Sequence, residues 1–65
     1  MTSHNEIDAY KKVIKTIESA QYIHMVNGSV EKLINLFFNM YNNEILCNNI
    51  DISFRQKQQK LNINN

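Results

Sequence analysis

Proline and tryptophan are absent from this chain, and glycine and cysteine occur once each among its 65 residues. Without proline and with a single glycine, few positions interrupt a helix, so long helices are favoured over sheets and loops. One cysteine cannot close an intramolecular disulfide, so cross-links do not stabilise the fold. The composition therefore predicts an all-α chain held together by side-chain packing.

Strong charge and long apolar runs are also lacking. The net charge is +1, which provides no basic field for nucleic-acid binding. No apolar run approaches the roughly 18–20 residues of a membrane span, and the N-terminus, MTSHNEIDAYKK, lacks the apolar core of a signal peptide. We therefore expect a cytoplasmic protein, in a reducing compartment, without nucleic-acid or membrane partners.

The short length predicts one small helical domain over residues 1–65. A chain of this size buries only about 60% of its unfolded surface, which makes it marginally stable alone. Disulfides or a metal usually compensate in such chains, and neither is suggested here. Self-association is the remaining way to enlarge the core, so the size predicts a homo-oligomer.

Residues 22–41 form the most apolar stretch, and the rest of the fold is organised around them. Its main apolar residues recur at steps of three and four and therefore share one helical stripe: Ile23, Val26, Val30, Leu33, Phe37 and Met40. Ile34, Phe38 and Tyr41 widen this stripe into a broad apolar face.

The segment Asn27-Gly28-Ser29 raises the question of whether the middle stretch is one helix or two. Asparagine or glycine can end a helix, and Ser29 can cap the next one. We predict a turn within residues 21–29, with a short helical turn possible at 22–27, and a helix over 29–42. The alternative is a continuous helix, because the apolar stripe passes through Gly28 and a helical glycine costs only about 1 kcal/mol.

A first helix is predicted over residues 4–20. Ser3 and Glu6 have the spacing of a capping box. In this motif the serine hydroxyl oxygen accepts a hydrogen bond from the amide of Glu6, and the glutamate carboxylate accepts one from the amide of Ser3. The apolar residues behind it recur at helical spacing: Ile7, Tyr10, Ile14 and Ile17.

A third helix is predicted over residues 44–61, after Asn42 and Asn43 break the pattern. Its sparse apolar face comprises Leu46, Ile50, Phe54 and Leu61. An alternating strand through residues 50–54 is the competing interpretation, but no partner strand is evident. Residues 62–65 are expected to be a disordered tail.

Three amphipathic helices with short connections predict a three-helix bundle completed by oligomerisation. The third helix is too polar to cover the whole middle face. We therefore predict that a second copy or a partner protein covers part of it, at Phe37, Phe38, Met40 and Tyr41.

Candidate chemical groups are few. His24 could be a general base or a metal ligand, but no histidine or carboxylate stands three or four residues after it. Cys47 has no histidine at the spacing that a nucleophile requires and is typical of a small apolar filler. The carboxylates are placed as helix caps and solvated faces. We predict no enzymatic activity, no metal and no cofactor.

Two further binding sites are conceivable. Arg55, Lys57 and Lys60 could bind a small anionic ligand, although such a run is more typical of a solvated terminal helix. A helix-turn-helix regulator or antitoxin would place a recognition helix after Ser29. That helix would have Lys32 as its only basic residue, whereas DNA-reading helices need a surface rich in hydrogen-bond donors.

Three segments resemble a class of short helical accessory proteins encoded by tailed phages. They are residues 17–20 (Ile-Glu-Ser-Ala), the pair His24-Met25, and Leu33-Ile34 followed by Phe37. The resemblance covers about a third of the chain. It implies a viral accessory protein, without a known active site, that binds a host target.

The functional expectation combines these observations. The chain is predicted to be a non-enzymatic helical binding protein. It would be an accessory or inhibitor that blocks a host protein, such as one of host defence, or sequesters a small anionic ligand. The alternatives are the DNA-binding regulator or antitoxin and a small virion component.

Overall fold

The computed structural model describes residues 4–63, which form three helices joined by short links. In chain order the segments are α1 (His4–Ser19), α2 (Ile23–Met25), a π-helical turn (Val26–Val30), α3 (Glu31–Met40) and α4 (Glu44–Ile63). The part of the chain described contains no strand. The predicted all-α, three-helix fold is confirmed, and the alternative strand over residues 50–54 is wrong.

The first helix ends within one residue of its predicted end. Near that end, the hydroxyl groups of Thr16 and Ser19 donate to the carbonyl oxygens of Lys12 and Lys15, at 2.8 and 2.9 Å. Tyr22 then adopts an extended conformation, with φ −130° and ψ 143°, and starts the next helix. The predicted capping box begins at a serine outside the described residues.

The break predicted within residues 21–29 lies at the start of that range, at Gln21 and Tyr22, whereas Asn27-Gly28-Ser29 is helical. Residues 23–40 form one uninterrupted helix, because α2, the π-helical turn and α3 follow one another without a break. Within the turn the amide of Glu31 donates to the carbonyl of Val26, five residues earlier, which is the π pattern. The irregularity lies where the sequence predicts it, but it changes the hydrogen bonding without ending the helix.

Burial explains why the helix continues through Gly28. Val26 and Val30 flank the glycine and are fully buried, and burying a valine stabilises the fold by roughly 1.5–3 kcal/mol. This exceeds the cost of about 1 kcal/mol for a helical glycine. Gly28 does not have a positive φ, so it does not form the left-handed cap that can end a helix, and Ser29 lies inside the helix.

The third helix begins as predicted after the paired asparagines. The Oδ1 atom of Asn43 accepts a hydrogen bond from the amide of Leu46 at 3.2 Å, which is an N-cap contact. The helix continues to Ile63, beyond the predicted end at residue 61. The last two residues of the predicted tail lie outside the described part of the chain.

The core is apolar, and all three helices contribute to it. No polar or charged residue is buried among those that the structure describes. The buried residues are Val13, Ile17 and Ala20 from α1 and the link after it, Val26, Val30, Ile34 and Phe37 from the middle helix, and Ile50 from α4. Most of the predicted stripe is therefore covered within one chain.

Candidate functional site: an apolar groove between α1 and α3

An apolar groove of about 100 Å³ lies between α1 and α3. We call it the α1–α3 groove. It forms because α3 packs chiefly on α1, so α4 does not cover this side of the middle helix. Its lining is almost entirely apolar and comprises Ala9, Lys12, Val13, Leu33, Leu36, Phe37, Met40 and Tyr41.

Two large apolar side chains on the rim of the groove remain accessible to solvent. Leu36 is 54% exposed and Met40 is 61% exposed. They are four residues apart, so they lie side by side on one face of α3. We call this pair the apolar ridge. A ridge beside an apolar groove presents a surface that would be stabilised by contact with another apolar surface.

The predicted interface residues divide between the core and the surface. Phe37 is only 3% exposed, so it contributes to the chain's own core and does not form a free surface. Phe38 and Tyr41 are half-buried and pack against that core. The rings of Phe37 and Tyr41 are tilted against each other, with centroids 5.1 Å apart. Of the four, Met40 alone is largely exposed.

Sequence reasoning overlooked Leu36 and the contribution of α1. Leu36 is not one of the stripe residues, but it lies four residues before Met40, and this spacing places it beside the stripe and widens the apolar face. Ala9 and Lys12 could not be assigned to the groove from their spacing, because the packing of α1 on α3 brings them there.

The structure does not bring the three predicted anion-binding cations together. Arg55 donates through Nε to the Oδ2 atom of Asp51 at 3.0 Å, one helical turn away. Lys57 donates through Nζ to the carbonyl oxygen of Glu18 at 2.8 Å. Lys60 lines the same shallow hollow as Lys57 and Glu18.

The contact of Lys57 has a structural role. Glu18 lies in the last turn of α1, whose terminal carbonyls carry partial negative charge and whose last turn contains no basic residue. Lys57 therefore supplies from α4 the positive charge that the last turn of α1 lacks. Next to it, Gln58 donates to the Oδ1 atom of Asn27 at 2.8 Å, which joins α4 to the π-helical turn.

His24 and Cys47 occupy unrelated environments. His24 is exposed and stacks on Tyr22, with ring centroids 5.6 Å apart. Cys47 is half-buried, with its Sγ 3.8 Å from the carbonyl oxygen of Tyr41. In the described part of the chain, no three His, Cys, Asp or Glu residues are grouped so that they could hold a metal ion.

Comparison with known protein families, characterised proteins and solved structures gives no match. None of the helices described is long and apolar enough to cross a bilayer.

Proposed function

We propose that this chain is a non-enzymatic binding protein that holds an apolar helix of a partner protein in the α1–α3 groove. The observation that carries this proposal is the exposure of Leu36 and Met40 beside an apolar groove, on a helix whose adjoining face is buried. A groove between two helices is suited to an amphipathic helix, whose anchoring side chains recur every three or four residues.

The charges around the groove define the partner further. Lys12 lines the groove on α1. Lys32 is exposed and lies one turn before Leu36, so it is on the side of α3 that faces the same solvent region. A partner helix with acidic residues beside its apolar stripe would complement both lysines.

The resemblance to phage accessory proteins suggests the biological setting. In that setting the partner is a host protein, and occupying one of its helices would block that protein's own contacts. The chain would then act as an inhibitor by surface recognition, without any chemical step.

Two of the competing functions have weaker support from the structure. The regulator or antitoxin needs a turn before Ser29, and those residues are helical. The anionic-ligand trap needs Arg55, Lys57 and Lys60 together, whereas Arg55 and Lys57 contact different groups.

The test is site-specific photo-cross-linking in the cells in which the chain is naturally made. A benzophenone amino acid is placed at Leu36 or, as the matched control, at Ile52, since both side chains are 54% exposed. We expect one cross-linked partner from position 36 and none from position 52. Met40→Glu in the same chain should abolish this product, because a buried carboxylate is unfavourable in an apolar contact.

Titration calorimetry with the purified partner then measures the contact. Binding to Leu36→Glu should be at least about tenfold weaker than to the unmodified chain, whereas Ile52→Glu should bind normally. Equal cross-linking from both positions, or unchanged binding by Leu36→Glu, would show that the groove is not the binding surface.

A further inference from the structure

The charges along the α1–α3 groove are distributed unequally between its two ends. At the end near Met40, a hollow beside the groove is lined by Glu6 and Glu44. Toward the other end, the groove is lined by Lys12, and Lys32 lies roughly 12 Å from Met40 along the helix, at a rise of 1.5 Å per residue. One end is therefore acidic and the other basic, with the apolar ridge between them.

A surface with this arrangement is complementary to itself. If a second copy is rotated by half a turn about an axis through the apolar ridge, the basic end of each copy faces the acidic end of the other. Leu36 of each copy then lies against Met40 of the other, and the two grooves face each other. In a twofold interface every such contact occurs twice, so each favourable charge pair is doubled.

We infer that the α1–α3 groove pairs with the groove of a second copy, and that the result is an antiparallel, twofold dimer. This inference rests on the proposed function to the extent that both use the same groove. It names the first occupant of that groove, a second copy, and it makes dissociation of the dimer a condition for binding the partner helix.

The small size of the chain favours a dimer, because pairing buries apolar surface that one chain cannot cover. A chain of 65 residues has little core of its own, and this one leaves Leu36 and Met40 in water. Pairing the ridges would remove both from solvent in both copies. Salt would weaken the association, because the charge pairs at the two ends are at the surface.

The experiment is sedimentation equilibrium of the full chain combined with a charge swap. We expect the unmodified chain to have twice the 7.7 kDa mass of one chain. Lys32→Glu and Glu44→Lys, each alone, should weaken association at least about tenfold, because each replaces two attractive pairs by two repulsive ones. The double variant, Lys32→Glu with Glu44→Lys, should restore the dimer.

A control variant tests whether the effect is specific to charges beside the groove. Lys60→Glu reverses an exposed charge away from the groove and should leave the dimer unchanged. Circular dichroism of each variant verifies that the helices are intact. Because the double variant contains both substitutions, a folding defect caused by either one would persist in it and would prevent the rescue.

The outcomes separate this inference from the proposed function. A monomer at every concentration, or failure of the double variant to restore association, would overturn the dimer and leave the cross-linking test of the partner unaffected. A dimer whose position 36 cross-links only to its own kind would support the dimer and contradict the partner.

Discussion

The two halves of the middle helix, residues 23–30 and 31–40, belong to one continuous helix but have different surroundings. The first half, α2 with the π-helical turn, contacts α4, and the turn contacts α1 as well. A hydrogen bond from Gln58 to Asn27 links it to α4. The second half, α3, packs chiefly on α1, and Leu36 and Met40 remain exposed beside that contact.

The difference between the two halves shows that the apolar residues of a helix do not by themselves determine how much of it is buried. Both halves have apolar residues at helical spacing, and both contribute two residues to the buried core. The first half contains the glycine, yet its most exposed large apolar side chain, Met25, is only 37% exposed. The second half contains two phenylalanines, yet it leaves Leu36 and Met40 54% and 61% exposed. Which neighbours reach each half decides what is left for a partner.

The largest expected effect comes from removing the cover that α4 provides. Ile50 is fully buried and Ile52, on the same helix, is 54% exposed. Ile50→Ala should lower the free energy of unfolding by about 2–4 kcal/mol. This is a large part of the roughly 3–10 kcal/mol typical of a domain of this length.

Ile52→Ala is the matched control for that substitution and should change the free energy of unfolding by less than about 0.5 kcal/mol. Urea denaturation of both variants measures the difference. Equal effects would mean that α4 presents a different face to the core.

A smaller effect is expected from removing the tie between α4 and the end of α1. Lys57→Met keeps the apolar stem but loses the hydrogen bond to the carbonyl oxygen of Glu18. We expect a loss of about 0.5–1.5 kcal/mol in the free energy of unfolding. Lys60→Met, in the same hollow, should be nearly neutral, and a similar loss for both would argue against the helix-capping role.

Gly28→Ala tests the continuity of the two halves through the sign of its effect. The backbone is helical, and an added Cβ would meet no atom within 4 Å, so alanine should stabilise the fold by about 0.5–1 kcal/mol. A left-handed turn at Gly28 would instead make alanine destabilising. Thermal unfolding measures the shift.

Ser29→Ala is the companion to that test. Inside a helix the change should be neutral or slightly stabilising, whereas loss of an N-cap serine would cost about 1 kcal/mol. A loss of stability in both variants would indicate a turn at Gly28 and Ser29 in place of a continuous helix.

The smallest effect on stability is expected at the open half. Leu36→Glu should change the free energy of unfolding of the monomer by less than about 0.5 kcal/mol, because the side chain is already half in water. Denaturation at concentrations too low for association measures this value. A loss above about 2 kcal/mol would show that Leu36 supports the monomer and is not kept for a partner.

The fold could be predicted from the sequence to a large extent. The spacing of apolar residues predicted three helices, and Asn43 predicted the start of the last one. The site was predicted only in part. Of the residues predicted for the interface, Met40 is exposed but Phe37 is in the core. Leu36 is not among them, because the main apolar stripe does not include it.

The sequence by itself determined the number of helices, the apolar stripe of the middle one and its irregularity near Gly28, because these are properties of residues close together in the chain. Only the tertiary structure decided that the helix continues through Gly28, that Lys57 caps α1 and that the ridge stays exposed. Each of these depends on which distant segment packs nearby, and helical spacing carries no information about that neighbour.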